Sequence, residues 1–421
     1  MRVCFLVPGL SRSGGLNVIV AHAGRLAAAG FHVELVLTEP GTEAGAAGGR
    51  VSVCALADAA TGPAYDVAVA TWWTTAEALW DVPARRRAVY VQSFEERFYR
   101  RDEMWERLGA AAVLDLPVDF IVIAEWMRSA LGEIHPGARC HLVPNGIDKT
   151  VFAPRPRTPH RGPLRVLVEG QPSLWFKGVQ EAVGAVQAMR EPVELTLVAL
   201  DPSHAGALAV DRLVGELDPS AMADLYAESD ILLKLSRVEG LPLPPLEGLH
   251  LGLPCVVAPF TGHEEYVRHG LNGVVVGYDD PEGTAEWLDL LARDRDLLIR
   301  LGRGARRTAE EWPGLDASAD RLARALEDIA AVPAPCAASA PGALLRTVRA
   351  ASELGRGRLA VARAEREALA EARALVHELA RSRDECAALL DERRRVLDEL
   401  TASRAYRAAL GARRVIDRVR R

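Results

Sequence analysis

Residues 236–258, SRVEGLPLPPLEGLHLGLPCVVA, hold two glutamates, Glu239 and Glu247, between two apolar runs at 231–235 and 255–258. Pro244 and Pro245 suit the first turn of a short helix, which Gly252 closes. A strand, a loop, a helix and a second apolar strand in so little sequence form a crossover, and parallel strands buried on both faces read as continuous apolar runs. The loop and the helix N-terminus then lie at the carboxyl edge of a parallel sheet, where backbone N–H groups and the helix dipole suit a phosphate. Glu247, an acceptor-only group when ionised, is placed to take both hydroxyls of a ribose, and Glu239 to face a reacting sugar.

The same alternation fills the rest of the first 330 residues. An apolar strand at 3–7 leads through a Gly- and Ser-rich loop at 9–15 to a helical period at 16–29, stopped by Gly30, and a strand at 32–37. Further strands are expected at 51–55, 66–70, 88–92, 120–124, 164–168 and 195–198, with helical pieces between them. With 421 residues and 49% hydrophobic content, the chain can bury two cores, so the expectation is α/β with two doubly wound domains. The Gly14-Gly15 loop is not G-x-G-x-x-G, which removes the main support for a nicotinamide or flavin cofactor.

Other classes find little support. The six cysteines are scattered without C-x-x-C spacing, and no pair of histidines has zinc-site spacing, so no essential metal and no cofactor are expected. A net charge of −6 argues against nucleic acid as a partner. No apolar run reaches eighteen residues and the N-terminus does not read as a signal peptide, which suggests a cytoplasmic protein. Lysine occurs only at Lys149, Lys177 and Lys234 in an arginine-rich chain, which singles out each of them.

The stretch EG-x-x-L-P-x-L-E followed by G-x-P-x-V-x-A resembles the E-x7-E motif of family-4 glycosyltransferases, retaining enzymes of the GT-B fold. VPNGIDKTVF (143–152) is similar to that family's interdomain segment, EGQPSLWFKG (169–178) to its phosphate clamp, and FTGHEEYVRHGLNGVVV (260–276) to the stretch after its second motif strand. The resemblance covers about residues 1–330 and implies an acceptor domain over 1–154, a nucleotide-sugar donor domain over 155–330, and glycosyl transfer with retention, as in bacterial cell-surface polysaccharide synthesis. It implies Glu239 and Lys177 as catalytic, with Lys177 stabilising the leaving diphosphate in place of a metal ion. Donor contacts would come from Gly14, Gly15, Gln171, Arg237, Leu243 and Glu247, and acceptor contacts from Trp72, Gln92 and Glu95. The acceptor would be a glycan or lipid-linked glycan.

Three positions depart from the family pattern. Gln92 stands near a usual histidine, Gln171 where relatives have arginine, and Pro242 where they have a glycine whose N–H reaches the phosphates. Arg237 is a candidate replacement for the missing positive contact. Adjacent strand residues point to opposite faces, so at most one of Trp72 and Trp73 is expected in the cleft. Two alternatives stay open: a non-hydrolysing nucleotide-sugar 2-epimerase, and a degenerate transferase serving as an assembly scaffold.

Beyond the fold, 331–343 reads as a Pro/Ala linker and 344–421 as a helical tail. A heptad seam through Leu369, Ala372, Val376, Leu379, Cys386, Leu390, Leu397 and Leu400 suggests a coiled coil for self-association. The arginine-rich end from Arg404 suggests a basic amphipathic helix at the inner face of a membrane.

Overall fold

The computed structural model describes residues 1–10, 14–39, 51–155, 162–206, 208–333 and 341–358, with isolated positions beyond. The first domain contains β1 (Arg2–Val7), α1 (Gly14–Ala28), β2 (His32–Leu37), β3 (Ser52–Ala55), α2 (Leu56–Thr61), β4 (Tyr65–Ala70), β5 (Ala84–Val91), α3 (Met104–Val113), β6 (Asp119–Val122), α4 (Glu125–Ile134) and β7 (Cys140–Leu142). The second contains β8 (Leu164–Glu169), α5 (Val179–Gln187), β9 (Val193–Val198), β10 (Arg212–Val214), α6 (Pro219–Glu228), β11 (Ile231–Lys234), α7 (Leu243–His250), β12 (Cys255–Val257) and β13 (Gly273–Val275). Three helices follow: α8 (Pro281–Arg293), α9 (Arg295–Glu311) and α10 (Leu315–Ala331).

Both sheets are parallel, with strand order β3-β2-β1-β4-β5-β6-β7 in the first domain and β10-β9-β8-β11-β12-β13 in the second. The apolar runs seen in the sequence are these strands, the central ones buried on both faces; all four residues of β11 are buried, including Lys234, whereas β3 at the sheet edge has no buried residue. The strands that the sequence did not signal, β7, β10 and β13, have three residues each and sit at sheet edges, too short to produce a run.

Each sheet reverses its winding beside its first strand, between β1 and β4 in one domain and between β8 and β11 in the other. Helices on both faces cannot fill the crevice at such a reversal, so ligands of doubly wound sheets bind there. Gly14-Gly15 open the helix that follows the first of these strands, and the loops leaving the other three carry Trp72, Gln171 and Glu239.

The two domains meet at these edges. Trp126 donates from its indole nitrogen to the Gly240 carbonyl at 3.0 Å and from its backbone to Glu265 at 2.9 Å. Trp175 Nε1 donates to the Phe98 carbonyl at 3.1 Å, and Arg97 to Thr261 Oγ1 at 3.0 Å. Helix α10 crosses back to the first domain. There Ser318 Oγ donates to the Pro144 carbonyl at 2.6 Å and Arg25 pairs with Asp316 at 2.8 Å.

One boundary is corrected. Residues 342–352 are helical and bury Leu345, Val348 and Ala351 in the first domain's core, while Arg349 pairs with Asp81 at 2.8 Å. The first compact unit therefore runs to Ser352, and the second begins at Glu353. Apolar residues every three to four positions gave this helix a buried face that a reading of the tail as one separate module overlooked. Of the proposed heptad seam, only Leu390 is described, and it is exposed; the other seam positions, residues 156–161 of the interdomain linker and most of the basic end lie outside the described residues. Among the described residues no helix is long and apolar enough to cross a membrane.

Candidate active site

Glu239 is the centre of a buried charge cluster. The loop after β11 turns it back over the sheet edge, where Lys177 Nζ donates to both its oxygens, at 3.0 and 3.2 Å. Lys234, the last residue of β11, lies 3.3 Å from the same carboxylate and donates to Glu169 Oε2, at the end of β8, at 3.0 Å. Burial alone would raise the Glu239 pKa, but the two lysines outweigh it and bring it down to about 2. Burial likewise opposes the charge on Lys234, and Glu169 and Glu239 overcome it, holding that ammonium above the usual lysine range. The site is thus a fixed row of alternating charge: Glu169, Lys234, Glu239, Lys177.

Lys177 is carried by a 3₁₀ turn, Trp175–Lys177, that ends at Gly178 with φ 63°. A Cβ at Gly178 would sit 2.0 Å from the Leu235 carbonyl, so only glycine lets the turn lie against the β11 loop and bring Lys177 to Glu239. Across the cleft, a Cβ at Gly240 would meet the Gln92 carbonyl at 1.8 Å. This close approach sets Gln92 beside the Glu239 loop. The Gln92 amide also faces Gly15, whose Cβ would stand 3.0 Å from it, and donates weakly to the Thr71 carbonyl at 3.4 Å. Gly15, Gln92, Lys177 and Glu239 therefore converge on one region, although Gln92 was expected on the acceptor side; a Cβ at Gly14 would meet nothing within 4 Å.

Glu247, on α7, accepts from the Tyr226 hydroxyl at 3.2 Å. Burial pushes its pKa up to about 7; the Tyr226 hydrogen bond opposes this and the Glu169 charge adds to it. In the unfolded chain the group ionises near the ordinary glutamate value of about 4.3. The folded protein thus holds a proton that the unfolded chain has lost between that pH and about 7, and stability should fall as pH rises through this window. Glu247→Gln should flatten that slope in urea titrations taken at successive pH values; an unchanged slope would mean that Glu247 titrates normally in the folded protein.

Several expected contacts are corrected. Gln171 faces away from Lys177: its amide accepts from Asp201 N at 3.0 Å and donates to the Asp201 carbonyl at 3.1 Å, pinning the loop after β9. Arg237 is turned to Asp279 and Glu181, so its charge is already compensated. Glu95 points inward and accepts from Trp73 N at 2.7 Å, with burial raising its pKa well above the usual range. Trp73 fills the core, donating to the Tyr99 hydroxyl at 2.8 Å, and Trp72 is the one at the cleft, stacked on Phe98 at 6.0 Å. Leu243 opens α7, half-buried. Lys234 and Glu169 were not anticipated as site residues; the available signal was a rare lysine ending a fully apolar strand. Among the described residues no group of three or more His, Cys, Asp or Glu side chains could hold a metal ion.

Two facing parallel sheets with a cleft between them define a protein of GT-B architecture. Residues 206–308 match the family model described as glycosyl transferases group 1. The chain is 26% identical over 294 residues to the O-antigen biosynthesis protein RfbC of Myxococcus xanthus, covering 66% of this chain and 22% of that protein. It is 27% identical over 245 residues to a D-inositol 3-phosphate glycosyltransferase of Thermobispora bispora, covering 51% of this chain and 57% of the other. The chain thus spans less than two thirds of the length of either of these two relatives. Among solved structures, sucrose-phosphate synthase from Thermosynechococcus elongatus superposes with a TM-score of 0.66 at 17% identity, over 78% of this chain and 98% of the other. Anabaena HepE in complex with UDP-glucose gives 0.62 at 16%, over 78% and 100%. At these identities the two structures support the fold.

Proposed function

We propose that this chain is a retaining glycosyltransferase of family 4 that moves a sugar from a nucleoside diphosphate to a glycan or lipid-linked acceptor in bacterial cell-surface polysaccharide synthesis, at the cytoplasmic side of the membrane. The observation that carries the reading is the Lys177–Glu239–Lys234 cluster at the winding reversal of the second sheet, directly across from Gly15 and Gln92. Chemically, a diphosphate entering this cleft competes with Glu239 for the Lys177 ammonium, which then neutralises charge growing on the leaving group. Glu239, kept ionised by Lys234, orients hydroxyls of the sugar, and Glu247 accepts from the ribose. The relative named for O-antigen biosynthesis and the neighbour solved with UDP-glucose support the substrate classes.

The test is the melting temperature of the full chain with UDP, GDP, dTDP and ADP, repeated with Glu247→Ala and Lys177→Ala, since a ligand bound only by the native state raises it. One nucleotide should stabilise the wild type and lose its effect in both variants. Absence of any shift with all four would overturn the reading.

A further inference from the structure

A second pocket, of about 500 Å³, opens at the mouth of the cleft and is walled by Arg97, Arg100, Arg101 and Arg107 with Tyr99 and Trp175. Its single acidic lining residue is Glu96, whose Oε2 is buried without a hydrogen-bond partner. Elsewhere many arginines meet carboxylates, as in Arg86–Asp119 at 2.7 Å and Arg165–Asp230 at 2.8 Å, and others such as Arg87 and Arg268 donate to backbone carbonyls. None of the four pocket arginines has a carboxylate within 4.0 Å among the described residues.

Four guanidiniums around one concavity, with only Glu96 near Arg97 and Arg107 to offset them, repel one another, a cost that an anion removes. Their planar forks suit the oxygens of a phosphate, and their number suits a multiply charged group better than a single carboxylate. The walls are held in place: Trp175 is fixed by its bond to the Phe98 carbonyl, and Arg97 by Thr261 and by the Trp126 ring at 5.6 Å. Trp175 belongs to the turn that carries Lys177, and Phe176 packs on Phe98 at 4.8 Å. An anion in this pocket therefore sits one turn of chain from the reacting centre, on the side of the first domain.

We propose that the pocket holds a phosphate or diphosphate group of the acceptor. This rests on the transferase reading and names its acceptor chemistry: a sugar phosphate or a phosphate-linked lipid, with the phosphate anchored between Arg97, Arg100, Arg101 and Arg107 while a hydroxyl reaches the cleft. The exposed Met104, Trp105 and Leu108 beside the pocket, on α3, make a lipid source worth a separate arm.

The experiment compares the full chain with the triple variant Arg100→Gln/Arg101→Gln/Arg107→Gln, all exposed positions, after confirming equal melting temperatures. Calorimetric titration uses glucose 1-phosphate and glucose; co-sedimentation uses phosphatidylcholine vesicles with and without phosphatidylglycerol. Because a hydrogen bond to a charged group contributes about 1.5–3 kcal/mol, the variant should bind glucose 1-phosphate, the anionic vesicles or both at least about tenfold more weakly. Glucose and neutral vesicles should bind neither protein. A loss confined to sugar phosphate assigns a soluble acceptor, and one confined to vesicles a lipid-linked acceptor. Equal binding by variant and wild type, or a loss produced only by Lys177→Ala, overturns the proposal. The nucleotide melting shifts read the transferase function separately, so either idea can fail without the other.

Discussion

Lys177→Ala should lower kcat about 10²–10³-fold, the cost typical of deleting one preorganised group that meets developing charge, while leaving the protein folded. The residue is partly exposed, with 24% of its side chain accessible, and Glu239 keeps Lys234 as a cationic partner when it is lost. Lys177→Arg should rescue little: the planar guanidinium replaces a compact ammonium, and the turn fixed by Gly178 against Leu235 leaves the longer side chain no freedom to withdraw. Initial rates with donor and acceptor, alongside melting temperature, make the comparison. If the rate falls less than about tenfold at unchanged stability, Lys177 does not neutralise the leaving group.

Lys234→Met should be the most destabilising single change in the site. The ammonium is buried between Glu169 and Glu239, and removing one partner of a buried ion cluster costs about 3–5 kcal/mol because uncompensated charge stays behind. Urea denaturation of Lys234→Met, Glu239→Gln and the double variant would measure this as a cycle. The double variant should recover part of the loss, since it removes the stranded carboxylate as well. The pH dependence follows from the lowered Glu239 value. Its stabilisation is present above the ordinary glutamate range and is lost as pH falls toward about 2, so the gap between wild type and Lys234→Met should narrow in acid. A gap that stays constant down to that pH would show that the destabilisation comes from lost packing rather than lost charge.

Much of this architecture was readable from the chain alone. Apolar runs located the central strands of both sheets, because burial on two faces leaves no room for alternation. The glycines and prolines around Glu239 marked a strand-to-helix turn at a sheet edge, and Lys177, scarce in an arginine-rich sequence, stood at the start of α5 in the corresponding turn of the neighbouring strand. Pattern thus determined the fold class, and the family resemblance pointed to Glu239 and Lys177 as the pair to look for at the sheet edge.

What the sequence left undecided was partnership. Lys234 meets Glu169 because β11 pairs with β8 in the register Leu233 to Val168, which sets their last residues side by side across 65 positions of chain. Gln171, Arg237 and Glu95 each occupy a plausible motif position, yet each is drawn off by a nearer partner: the Asp201 backbone, Asp279, and the Trp73 amide. Nor does a pair of adjacent tryptophans tell which one turns to the core. Local sequence fixes the direction of the backbone and the burial of a face; the partner of a polar group depends on which strands and loops the tertiary packing brings within about 3 Å, and a hydrogen bond has no reach beyond that.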